Sequence, residues 1–166
     1  VFPEKYWAGN VGEGFPGWMN RQSLSIEIQA IGYLTKVSDG PPPVFKMYKG
    51  SKWPKKKYGG FAAQPVDDNY NPITYKGYDW YEGYSNAAIN AVERVVTGWM
   101  SKYNIPFHYN YKRLFPNSSP TFYGTSKFNS SWKGVLTHNS LMQGKSDIFP
   151  QKEMLQMLKR IATKRS

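Results

Sequence analysis

The sequence contains no cysteine. Disulfides and thiolate metal ligands are therefore both excluded, and a chain of 166 residues is long enough to bury a core without such staples. No stretch approaches the ~20 apolar residues of a membrane-spanning helix. No signal peptide is recognisable, no repeat recurs, and no change of composition divides the chain, so residues 1–166 read as a single domain. Histidine is scarce, with His108 and His138 the two copies. Acidic side chains are few: 11 Asp and Glu face 22 Lys and Arg, a net charge of +11.

What is abundant is apolar and aromatic. Hydrophobic residues make up 40%, which excludes wholesale disorder. Aromatics reach 17%, with 13 tyrosines, and two readings stand side by side: rings that stack on sugars or bases, or amphipathic walls of a core. The positive charge is spread over Lys55–Lys57, Lys112–Arg113 and a C-terminal set of Lys159, Arg160, Lys164 and Arg165. It implies attraction to a polyanion, whether nucleic acid, anionic lipid or an acidic cell-wall polymer, and charge alone does not choose among them.

Along the chain, residues 1–20 read as loop. In SLSIEIQAIGYL (23–34) Leu24, Ile26 and Ile28 alternate with Ser25, Glu27 and Gln29, the period-2 pattern of a strand with one buried face. Glu27 then points away from the isoleucines, to solvent or into a cleft. Residues 37–80, rich in Gly, Pro, Lys and Tyr, read as a long irregular connection with a short strand around 44–48. The clearest helix is SNAAINAVERVVTGWMSKY (85–103), capped by Ser85, with Ala88, Ile89, Val92, Val95, Val96, Trp99 and Met100 on one stripe. Residues 134–137 read as a brief strand with His138 at its end. A last helix over 151–161 turns Met154, Leu155, Leu158 and Ile161 inward, with Pro150 just ahead of it. This order implies an α/β or α+β domain, a central mixed sheet with helices packed on it and long irregular insertions.

One short loop concentrates chemistry. His138 and Asp147 are nine positions apart across a turn, and imidazole and carboxylate both suit Zn²⁺. Two ligands fall short of the three that catalytic zinc takes, so the spacing leaves a structural loop and a metal site both open. Lys145 would steady a developing oxyanion, and Glu27 would accept a proton from water if its strand lay beside residues 134–137.

Four patches, in order, resemble the zinc-dependent N-acetylmuramoyl-L-alanine amidases, the family of phage lysozyme-type amidases and peptidoglycan recognition proteins. Tyr6-Trp7-Ala8-Gly9 is similar to the family's Ala-Trp-His-Ala-Gly, without its histidine. Asn20 with Ser23-Leu24-Ser25-Ile26-Glu27-Ile28 resembles Asn-x-x-Ser-Ile-Gly-Ile-Glu-Ile. Tyr84-Ser85, the helix and Lys102-Tyr103-Asn104-Ile105-Pro106 resemble its helix and Tyr-Gly-Ile-Pro exit. Thr137-His138, Lys145-Ser146-Asp147 and Phe149-Pro150 resemble Gly-His, Lys-Thr-Asp and Phe-Pro.

The resemblance implies a Zn²⁺ cofactor held by His138 and Asp147, with the first histidine ligand upstream of residue 1. Lys145 and Glu27 would be catalytic, and Trp7, Asn20 and Asn139 would contact substrate. The substrate would be peptidoglycan, cut between N-acetylmuramic acid and L-alanine. The chain would then be the larger, C-terminal part of a domain that starts upstream of Val1, completed by a cleaved N-terminal segment, and it would act on the cell wall as a secreted, periplasmic or virion-associated protein. Two alternatives remain. An inactive amidase-like binding or structural module of a phage or injection particle would keep the fold without the metal. A basic nucleic-acid-binding domain fits the charge and aromatics, but no zinc finger, recognition helix or RNP-like strand motif is present.

Overall fold

The computed structural model describes residues 23–28, 30, 32–40, 43–47, 57–58, 60–118, 133–141, 145 and 148–163. Among these, strands β1 (Tyr33–Ser38), β2 (Val44–Met47), β3 (Lys57–Tyr58), β4 (Ala62–Ala63) and β5 (Trp80–Glu82) precede helices α1 (Asn86–Lys102), α2 (Tyr111–Leu114), α3 (His138–Leu141) and α4 (Lys152–Thr163). The strands form one sheet in the order β3-β2-β1-β5-β4. The mixed α/β class read from the sequence is present, as α+β. The sheet itself was expected to be mixed, but every ladder among the described strands is antiparallel. Among the described residues the helices follow β5, and none of them carries a parallel crossover between strands.

Cross-strand pairing sorts the sheet's two faces. Tyr81 sits opposite Tyr33 and Ala63, and all three face the main core. Leu34 sits opposite Trp80, and with Phe45 and Ala62 they form a smaller cluster on the other face. The Phe45 and Trp80 rings are 5.0 Å apart. Side chains on a strand alternate between faces, so this short sheet feeds two apolar clusters at once.

The expected strand over 23–34 is displaced. Residues 23–28 join no ladder, Leu24 and Ile26 are 38% and 37% exposed, and Ile28 and Ala30 lean on the main core. β1 begins only after Gly32, at a φ of +93° that suits glycine. Alternation marks a strand only when a partner covers one face, and among the described residues none does so here.

The stretch read as an irregular connection holds most of the sheet and part of the core. Lys76 and Gly77, at φ of +50° and +83°, form a two-residue hairpin turn in which Tyr75 and Tyr78 exchange backbone hydrogen bonds at 2.9 and 3.0 Å. Asn117 braces it, accepting from the Lys76 N–H at 2.6 Å and donating to the Thr74 carbonyl at 3.0 Å. Tyr75 is fully buried. Residues 107–118 also feed the core, through Phe107, Leu114 and Phe115.

Both long helices form where their patterns place them. The Ser85 hydroxyl caps α1 by accepting from the Ala88 N–H at 3.1 Å. α1 turns Ile89 and Met100 fully inward, while Val95, assigned to the same stripe, is 40% exposed. α4 packs against α1 and buries Met154, Leu155, Met157, Leu158 and Ile161, each worth roughly 1.5–3 kcal/mol on full burial. Among the described residues, no helix is long and apolar enough to cross a membrane.

A single side chain joins the two helix starts. Gln151, 2% exposed, accepts from the Tyr84 N–H at 2.7 Å and donates to the Tyr84 carbonyl at 3.0 Å. Gln151→Leu strands both groups in the interior and should cost on the order of 1–3 kcal/mol, read as a lower urea midpoint at unchanged slope.

The Lys76 ammonium is buried and has no hydrogen-bond partner among the described residues; burial pushes its pKa below the usual range. The unfolded chain holds that proton up to about pH 10.4, so between the folded and unfolded values the unfolded state binds more protons and stability rises with pH. Asparagine tolerates the left-handed turn and carries no charge. Lys76→Asn should therefore be more stable than the parent, by a margin that shrinks as pH climbs toward 10.4 in denaturation curves.

Candidate functional site

The site is built on the return of the chain from α2 to α4. Residues 134–137, expected to be a strand, join no ladder. Thr137 instead stands at the entry to α3. Its N–H donates to the Ser140 hydroxyl at 3.3 Å, and the Ser140 N–H donates to the Thr137 carbonyl at 3.1 Å. The Thr137 hydroxyl donates to the Leu114 carbonyl, and the Ser140 hydroxyl to the Arg113 carbonyl at 2.7 Å. The orphan carbonyls at the end of α2 are thus satisfied by the hydroxyl just ahead of α3 and by one within it. His138 is consequently the first residue of a helical turn, half-buried, and not the end of a strand. The signal was in the sequence: a Thr and a Ser three apart, the spacing of reciprocal capping.

The far side of the loop is held as firmly. Phe149 is 1% exposed, with its ring stacked on Tyr81 at 4.5 Å and tilted against Tyr84 at 5.1 Å. The Pro150 carbonyl accepts from the Val66 N–H at 2.9 Å, and α4 follows directly. Between these anchors Lys145 is half-buried.

Asn139, expected to touch substrate, lies at 0% exposure. Its amide donates to the Tyr75 hydroxyl at 2.7 Å and to the Ile148 carbonyl at 2.5 Å. Its own oxygen is buried without a partner among the described residues. A side chain so enclosed supports the site from behind and does not face a ligand. Tyr75, which receives it, lay in the region read as irregular, and nothing in its local sequence marked it.

The remaining residues divide. Glu27 is exposed on segment 23–28, and among the described residues neither that segment nor residues 134–137 forms the strand that was to bring the two together. Trp7, Asn20 and Asp147 lie outside the described residues. Among the described residues no three His, Cys, Asp or Glu side chains gather as a metal would need. His108 is exposed beyond α1. The donor types of His138 and Asp147 suit zinc.

Two residues of the C-terminal basic set are less available than their sequence suggests. Lys159 donates to the Asp68 carboxylate at 2.9 Å and its carbonyl at 2.8 Å, over the Tyr70 ring at 4.5 Å, and Arg160 pairs with Glu93 at 2.8 Å. Partial burial works against the Asp68 charge, but the Tyr109 hydroxyl, donating at 2.7 Å, and Lys159 hold its carboxyl below the usual range.

No protein-family model matches this chain, and neither a curated protein nor a solved structure matches it.

Proposed function

We propose that this chain is the main part of a zinc-dependent amide hydrolase that cuts peptidoglycan between N-acetylmuramic acid and L-alanine. The observation that carries the reading is the loop from His138 to Pro150, a histidine on a capped turn at one end, Lys145 within, and buried anchors on both flanks. A preorganised frame of this kind is what a catalytic constellation requires.

In this reading His138 and Asp147 hold the zinc, together with a histidine from outside residues 1–166. Bound zinc would supply a polarised carbonyl and a water of lowered pKa. Lys145 donates to the oxyanion that forms on the amide carbonyl, and its half-buried setting strengthens that contact relative to water. The resemblance assigns the proton released by water to Glu27, which stands exposed on segment 23–28. The net charge of +11 draws the protein to acidic wall polymers, outside the cytoplasm, whether secreted, periplasmic or carried on a particle that also supplies the completing segment.

Digestion of purified walls, read by mass spectrometry, tests the bond. Free L-alanine amino termini on stems released from intact muramic acid are expected. New reducing ends, or cuts within the stem, would replace the reading with a glycosidase or endopeptidase. A zinc-loaded protein that binds walls and cuts nothing would be a binding module, and binding to DNA that weakens steeply with salt would favour a nucleic-acid partner. Lys145→Ala should retain zinc and lose about 10²- to 10³-fold in turnover, as for removal of one oxyanion donor. His138→Ala should lose the metal itself, and Glu27→Gln should keep metal while turnover falls.

A further inference from the structure

Asn139 is an expensive residue in its place. It is wholly enclosed, it spends both amide hydrogens on two separate chain segments, and its oxygen is buried with no partner among the described residues. An unpaired buried acceptor costs about 1–3 kcal/mol, so a leucine of similar volume would remove one penalty while filling the same space. What leucine would not supply is the pair of donors. One reaches Tyr75, which is itself fixed: the Tyr81 hydroxyl donates to the Tyr75 carbonyl at 2.8 Å, and the Tyr75 ring is fully buried. The other reaches the carbonyl of Ile148, the residue before Phe149. The amide therefore closes the loop between its two ends and fastens that closure to the hairpin turn at 75–78.

We propose that Asn139 is the positioning residue of this site: from the interior it sets the orientation of the α3 turn that carries His138 and keeps the exit of the loop at a fixed separation from it. The consequence for metal binding rests on the function proposed above; the positioning does not. A side chain one residue from His138 shares its helical turn, so loss of the tie lets that turn rotate or shift while the Thr137 and Ser140 contacts to α2 still hold it in place. Tyr75 acts in the same chain of contacts, one step further back.

The two histidines make this measurable. His138 and His108 give two imidazole signals in a spectrum of histidine-labelled protein, and exposed His108, beyond α1, is the internal reference. Asn139→Leu at fixed pH should move or broaden the His138 signal and leave that of His108 in place. Tyr75→Phe removes one of the two acceptors without touching the loop and should give a smaller shift in the same direction. A His138 signal coincident with the parent in folded Asn139→Leu overturns the proposal. Should that variant fail to fold, an unmoved His138 signal in Tyr75→Phe overturns it equally. Zinc added to the parent separates the two ideas. If it shifts His138, Asn139→Leu should weaken zinc binding about 10- to 100-fold, as loss of a group behind a metal ligand does. If zinc leaves His138 unmoved once the segment carrying the remaining histidine is also present, the amidase reading fails while the imidazole comparison still decides the positioning.

Discussion

Much of the core of this protein is irregular chain, and irregular chain buried in a core must still satisfy its carbonyls. Tyrosine hydroxyls do that work. Tyr81 donates to the carbonyl of Tyr75 at 2.8 Å, Tyr111 to that of Val66 at 2.8 Å, and Tyr75 reaches toward that of Pro116 at 3.4 Å. Each ring fills apolar volume while its hydroxyl pairs a carbonyl outside the strands and helices. Burial first, then the nearby Asp67 and Asp68 charges, push the Tyr111 hydroxyl up to about 12, so it remains a donor throughout the physiological range. Aliphatic residues of equal size would fill the core and leave those carbonyls unpaired.

The same economy explains how a short sheet supports the helices. β4 and β5 contribute only two and three residues, too few to hold the domain by ladder hydrogen bonds alone. The junction at Phe149, Pro150 and Gln151 compensates. One ring stacks on the sheet through Tyr81, one carbonyl accepts from Val66, and one amide pairs both polar groups of Tyr84 at the mouth of α1. Sheet, α1 and α4 meet at three consecutive residues, and the loop bearing His138 ends against them.

This arrangement decides what a reader of the sequence can see. α1 and α4 were legible because an apolar stripe of helical period, a serine cap and a proline ahead of the last helix are all local signals. β2 falls within the short strand expected around 44–48. The hairpin turn at 75–78 and the core roles of Tyr75 and Phe115 were not legible, because Gly, Pro, Lys and Tyr mark loops by composition while the buried state of a tyrosine depends on which carbonyl meets its hydroxyl. Residues 23–28 were misread in the opposite sense. Their alternation is real, but a strand also needs a neighbour, and that is a property of the fold. At the candidate site, the residue types of His138 and Lys145 were readable, and so was the segment they share. The burial of Asn139 was not, since nothing in HNS distinguishes a polar side chain that faces a ligand from one that faces inward.

That difference bears on how such loops evolve a site. His138 and Lys145, the described side chains of the 138–150 loop that would perform chemistry, are half-buried. The groups that hold the loop, the Thr137 and Ser140 hydroxyls on α2, the Asn139 amide and the Phe149 ring, are buried or half-buried and paired with backbone or with core rings. Altering any one of them leaves an interior carbonyl or an apolar face without its partner. The frame is therefore constrained by folding alone, and persists whether or not the chemistry does. A protein that had lost its activity would keep Thr137, Asn139, Ser140 and Phe149 and would be free to lose Lys145. Lys145, in the same loop as His138, is accordingly the more informative, because among the described residues it is not one of the groups that hold the frame.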